Sequence, residues 1–208
     1  MSTATGWDLV AEQRIAFADM IEALEDQADQ PTLCGHWTVH QVAGHLLTFT
    51  NMSFPRFMGN MIKNRFDYDE MADKVAQRFA ADKSLVEIAA DLRTHAAKKS
   101  ALPGFPPEMT LSDVVVHSQD IRRPLGLGVD LDDTVITAVL GFLTTHKQAK
   151  AVLDPAKLAG VELIATDRDW RFGTGATVEG PAEAIIMALA GRPVASDLSG
   201  DGVARLLP

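Results

Sequence analysis

The segment DVVVHSQDIRR, residues 113–123, concentrates groups able to do chemistry. On a helix turning about 100° per residue, Asp113, His117 and Asp120 fall within roughly 60° of one face. Val114, Val116 and Ile121 form apolar shoulders beside that stripe. Carboxylates buried without partners are costly, so a stripe facing a helical core calls for a cation or for hydrogen bonds. Asp-x3-His also lets a carboxylate and an imidazole reach one ion. A third ligand from a neighbouring helix would leave an open position, as in a catalytic rather than a structural zinc site. In TVHQVAGHLLTF, His45 is that third candidate. It lies at the edge of the apolar stripe Val39, Val42, Ala43, Leu46 and Leu47, and its neighbour Gly44 permits close helix approach. Two other readings stay open. Thr110-x-x-Asp113 resembles a capping pair, which would put Asp113 at a helix start where it favours the dipole. Asp120 and Arg123, three apart, suit a simple surface pair.

The remaining candidates carry weaker patterns. His36 and His40 have the four-residue spacing of a shared metal on a helix, but Thr38 as N-cap leaves His36 outside it. His95 and His146 sit among polar residues on exposed faces. Cys34, just before the His45 helix, could be a fourth ligand or a nucleophile, although packing is the commoner fate of a lone cysteine. Trp37 and Trp170 read as anchors of the helix start and of a β-turn. Gly173, Gly175 and Gly180 read as hairpin turn residues. Phe54, Phe57, Phe66 and Tyr68 read as core packing rather than as the wall of a pocket. No strand-to-helix phosphate cradle is present.

Helices must position these groups. Apolar residues at helical spacing predict helices over 9–30, 38–52 (continuing to 63 with a kink or break at Pro55), 67–79, 84–99, 110–123 and 132–153. Thr38 and Gln41 match a capping box, and Pro124-Leu-Gly stops the fifth helix. From Gly160 onward the texture changes to alternation and glycine: seven of the fifteen glycines lie there. Strands are predicted near 161–166, 170–172 and 176–179, then a short helix between Pro181 and Gly191, then a final strand ending at Leu207. The expected class is α+β: an N-terminal antiparallel four-helix bundle over residues 1–153 and a small C-terminal α/β domain over 154–208, divided near Asp154-Pro155.

Composition bounds what such a protein does. Its 208 residues are 47% hydrophobic and 23% charged, which fits globular rather than disordered classes. A net charge of -9 weakens any nucleic-acid reading. A single cysteine makes no internal disulfide, and no apolar run is long enough to span a membrane. MSTATGWDLV lacks a basic signal-peptide region, so a cytoplasmic setting is expected. The helix faces do not distinguish a monomer from a homodimer.

Three stretches together, LCGHWTVHQVAGHLL, DVVVHSQDIRRPLG and VELIATDRDWRFGTG with VEGPAEAIIMALAGRP, resemble the mycothiol-dependent maleylpyruvate isomerase family. That family belongs to the DinB-like metal-binding helical bundles and is concentrated in actinobacteria. The resemblance runs in order along nearly the whole chain. It implies a divalent metal, usually zinc, held by His45, Asp113 and His117. The family's acid is commonly glutamate, and Asp113 is one methylene shorter. Asp120 matches an acid that orients a ligand, and Arg192 in LAGR matches a cleft-facing arginine. Mycothiol would supply the sulfur as a cosubstrate, adding as thiolate to an activated double bond before rotation and elimination, or staying attached in a transferase reaction. The substrate is then an electrophilic, carboxylate-bearing small molecule. Arg192, with Arg122 and Arg123, could clamp its carboxylates or hold the cosubstrate. The alternative is a protein of the same fold that binds metal and a small ligand without turnover.

Overall fold

Helix starts in the first half of the chain are set by side chains that satisfy otherwise unpaired N–H groups. The computed structural model describes residues 6–99 and 104–207, apart from the side chains of Phe49 and Asn51. Thr38 caps α2 (Val39–Asn51) through the expected box, its hydroxyl accepting from the Gln41 N–H while the Gln41 side chain accepts from the Thr38 N–H. Ser84 and Glu87 build a second box at the start of α5 (Leu85–Thr94), and Asp67 caps α4 (Tyr68–Asp82). Thr38→Ala therefore costs about 1 kcal/mol of stability, measurable by denaturant unfolding.

The N-terminal unit ends at Gly126. In it, α1 (Gly6–Glu22), α2, α5 and α6 (Pro107–Leu125) form a closed ring of four: α1 packs on α5 and α6, and α2 packs on the same two. Phe17, Ile21, Val42, Leu46, Ile88, Leu92, Val114 and Ile121 meet in its core. A short α3 (Phe54–Lys63) follows α2 as a separate helix, with Pro55 in its first turn. α4 lies along α2, where Gly44 is indispensable: a Cβ there would stand 2.7 Å from the Ala76 carbonyl oxygen.

Several boundaries differ from expectation. α1 stops at Glu22, followed by a separate 3-10 turn at Glu25–Gln27. α5 ends at Thr94 rather than near 99. α6 begins at Pro107, three residues before Thr110, because proline at the first helical position loses nothing by lacking an N–H. Asp113 thus sits inside the helix and is no capping residue. Gly126, at φ 66°, closes α6 in the left-handed conformation that glycine adopts without strain.

The C-terminal unit begins at Leu127, so the division between units and the composition change near Asp154-Pro155 are different places. The last predicted helix splits into α7 (Asp133–Thr145) and a 3-10 turn at Lys147–Ala151. The apolar face of α7 packs on α8 (Ala182–Leu189), which assigns it to this unit. Strand β1 (Val161–Ala165) is central, antiparallel to β2 (Arg171–Gly173) and parallel to β3 (Ala176–Gly180). Every residue of α8 is buried, since the sheet covers one side and α7 another.

Gly173, Gly175 and Gly180 turn no hairpin, because β2 and β3 flank β1 instead of pairing with each other. The link from β2 to β3 crosses the entrance of β1. A Cβ at Gly175 would stand 2.2 Å from the Gly160 carbonyl oxygen, and one at Gly173 2.3 Å from that of Val161. Gly180 has no positive φ and is kept small by Leu198 and Asp197. The expected last strand is instead one helical turn, α9 (Val203–Leu206), with only a bridge between Ser199 and Glu179. No helix among the described residues is long and apolar enough to cross a membrane.

Candidate metal centre

Packing of α2 against α6 brings together side chains far apart in the chain. Asp113 Oδ1 lies 3.5 Å from His45 Nε2 and 3.6 Å from His117 Nε2. The ligand atoms of the three residues are all within 4.8 Å of one another. A tetrahedral ion with bonds of about 2.0–2.2 Å keeps its ligands roughly 3.3–3.5 Å apart, so this cluster is close to the size a zinc-like ion needs. Both imidazoles are buried, whereas a quarter of the Asp113 side chain (26%) is exposed, so access is from the carboxylate side.

Asp120, fully buried, holds the other nitrogen of His117 at 3.0 Å. A carboxylate can only accept, so Nδ1 keeps its proton and, once the ring is neutral, the Nε2 lone pair faces Asp113 and His45. Removing this partner by Asp120→Ala is expected to weaken metal binding by roughly 10–100-fold, read by competition with a chromogenic chelator.

Charge inside the cluster is balanced by proximity. Burial alone would raise the Asp113 carboxyl, but the His45 hydrogen bond and the charges of His45, His117 and Arg14 hold it below the usual carboxylate range. Burial would lower His117, yet its hydrogen bonds to Asp120 and Cys34 and the two carboxylate charges push it up to about 10. In the absence of an ion the cluster is thus an imidazolium among carboxylates, and a divalent cation would replace that proton.

Trp37 forms a wall. Its ring lies 4.9 Å from the His45 ring and 6.1 Å from the His117 ring, and its Nε1–H donates to Asp73 at 2.7 Å. The tryptophan expected to anchor the helix start therefore also packs on both histidines. Cys34 lies with Asp120 on the Nδ1 side of His117, with ligand atoms of these three within 4.8 Å of each other.

The other histidines are separate. His36 pairs with Asp73, and His40 bonds the Lys83 carbonyl oxygen, so they share no ion. His95 bonds the Asp91 carbonyl oxygen, and His146 stacks on Phe142 and caps the following turn. Arg122 and Arg123 occupy the last turn of α6, roughly 13 Å of helix beyond Asp113. Helical geometry puts Arg122 on the face opposite Asp113, so neither joins the ligand cluster. Arg192 belongs to the C-terminal unit, where its Nη1 donates to the Ala190 carbonyl oxygen beside a cavity of about 560 Å³ shared with Lys157 and Ser196.

One residue escaped the sequence reading, and another was read only as core. Arg14 is almost wholly buried and donates through Nη1 to the carbonyl oxygens of Ala96 (2.9 Å) and Lys98 (2.7 Å), while its charge acts on Asp113. The signal was present, for Arg14 interrupts the apolar stripe Val10, Phe17, Ile21 of α1. Tyr68, the only tyrosine and read as core, has an exposed ring edge while its hydroxyl turns inward. Burial of its hydroxyl and the charges of Asp113 and Asp69 push the phenol well above its ordinary value. Of the aromatics read as core, Phe54, Phe66 and Tyr68 are exposed, and Phe57 alone packs against the small cluster of Met52, Met71 and Val75.

Residues 10–101 match the family model of the mycothiol maleylpyruvate isomerase N-terminal domain, and residues 130–208 match that of the MDMPI C-terminal domain. Two solved structures are similar along the chain. One is the crystal structure of the mycothiol-dependent maleylpyruvate isomerase, at 14% identity and a TM-score of 0.47, covering 96% of each chain. The other is a histidine-to-alanine mutant of that enzyme, at 13% identity and a TM-score of 0.43, again covering 96% of each. No curated protein matches the chain.

Proposed function

We propose that this chain, which belongs to the mycothiol maleylpyruvate isomerase family of enzymes, holds a zinc-like ion with His45, Asp113 and His117 and uses mycothiol on an electrophilic acid. The observation that carries the reading is the three-donor cluster with one exposed side and a buried carboxylate fixing the tautomer of His117. Bound there, the ion would hold a thiol as thiolate, the nucleophile required for reversible addition to an activated double bond or for sulfur transfer. Every other part is protein. His45 and His117 present Nε2, and Asp113 contributes one negative charge. Asp120 orients His117, and the Trp37 ring keeps water from the histidine side. Tyr68, whose phenol stays protonated at neutral pH, offers a hydrogen-bond donor in the field of Asp113.

The test combines metal analysis of untagged protein with two turnover assays, mycothiol plus maleylpyruvate and mycothiol plus a chloronitrobenzene. One equivalent of zinc with turnover of the first identifies an isomerase; turnover of the second alone identifies a transferase. Metal without turnover of either would favour a binding protein. Protein that binds no divalent ion would overturn the reading altogether.

A further inference from the structure

The protein is acidic, with 19 Lys and Arg against 28 Asp and Glu. Yet five of those cations, Arg56, Lys63, Lys74, Arg78 and Lys83, line one groove of about 580 Å³ in the N-terminal unit, accompanied by only two acids, Asp82 and Asp91. Three of the five are neutralised nearby: Lys74 by Glu70 at 2.7 Å, Arg78 by Asp82 at 3.5 Å and Lys83 by Asp91 at 3.0 Å. Arg56 and Lys63 make no ion pair or side-chain hydrogen bond among the described residues. They are seven residues apart on α3, hence on the same face and about 10 Å apart along the axis. The same groove is lined by the apolar side chains of Met52, Val75 and Phe79, the first two largely buried. Asn60, on the same face between the two charges, donates to the Met52 sulfur at 3.5 Å and offers a further polar group to the groove.

We propose that this groove is a second small-molecule site, taking an amphiphilic dianion whose two acidic groups pair with Arg56 and Lys63 across an apolar segment lying on Met52, Val75 and Phe79. Its volume falls in the range of small-ligand sites. A single carboxylate would satisfy one cation and leave the other unpaired; a purely polar polyanion would leave the apolar lining wet. Nucleic acid is disfavoured, because two free cations in a chain of net charge -9 neutralise too few phosphates. The site is separate in its residues from the metal cluster, so its test does not depend on the proposed reaction.

The probe is decanedioate, titrated calorimetrically into the full chain at low salt, with decanoate and inorganic phosphate as comparisons. Saturable 1:1 binding of decanedioate is expected, with decanoate and phosphate each at least about tenfold weaker. Arg56→Gln with Lys63→Gln raises the decanedioate Kd about tenfold or more, leaves bound metal unchanged and, as a surface change, leaves the fold intact. Lys150→Gln, in the C-terminal unit, has no effect. Equal affinity for decanoate and decanedioate, or indifference to the double substitution, would overturn the proposal. So would the capture of the protein by phosphatidylglycerol vesicles with no binding of free decanedioate, since Phe54 and Ile62 are also exposed on α3.

Discussion

His117→Ala is expected to remove the bound ion and the turnover together, an effect larger than the roughly 100-fold that loss of an outer hydrogen-bond partner costs. The substitution deletes one of three ligands and leaves Asp120 buried without the imidazole it holds at 3.0 Å. It also removes a proton-linked signature. Without metal, His117 is held protonated up to about pH 10, so a cation entering the site at neutral pH must displace that proton. Apparent metal affinity in the native protein then rises about tenfold per pH unit between pH 6.5 and 10. Asp113, held below the usual carboxylate range, adds nothing to this slope near neutrality. Calorimetry in buffers of different ionisation enthalpy should count one proton released per ion in the native protein and no saturable binding heat in His117→Ala. Stability of the metal-free protein runs the other way. The raised pKa of His117 contributes fully below 6.5 and is lost as pH climbs through about 10. A metal-free melting temperature that rises over that range, or metal affinity flat with pH, would sink the assignment.

What could be read before folding was what depends on neighbours in the chain. The Thr38–Gln41 box lies within one turn, and both halves form as expected. Asp113, His117 and Asp120 share a face because a helix puts them there, whatever surrounds it. His45 was another matter. Its place 3.5 Å from Asp113 follows from how α2 meets α6, and only its position at the edge of an apolar stripe hinted at it. Pairings between remote segments were less legible still. Alternation marked β1 and β3 as strands, but their parallel register, with Leu163 opposite Val178, depends on a two-residue crossing that only the glycines permit. Val203–Leu206 is too short for periodicity to separate strand from helical turn, and it became the latter. The aromatic residues of 54–68 looked like core because aromatic side chains usually are. Composition cannot show that α3 has no buried residue.

Arg14 separates structural support from electrostatic tuning of the metal centre. Arg14→Ala is expected to cost about 2–4 kcal/mol, from buried carbonyl oxygens left without their donor and from the space the side chain fills. Two loop carbonyls, on Ala96 and Lys98, lose the donor that ties the end of α5 to α1. Arg14→Met restores most of the apolar volume and should recover a large part of that loss, because the guanidinium is itself costly to bury. Its pKa is pulled down by burial against the opposing charge of Asp113, and Nη2 finds no partner among the described residues. The effect on the ion has the opposite sign. Arg14 is a fixed positive charge acting on Asp113, so it keeps the carboxylate ionised while repelling any cation placed beside it. Arg14→Met should therefore bind zinc several-fold more tightly at pH 8, although the metal-free protein melts at a lower temperature. At acidic pH the gain should fade, because Asp113 without Arg14 takes up a proton more readily. Melting curves with and without zinc give both quantities from one sample. A fall in zinc affinity that tracks the fall in melting temperature would make Arg14 a prop for α1 and α5 alone; a fall in one with a rise in the other makes it part of the electrostatics of the site.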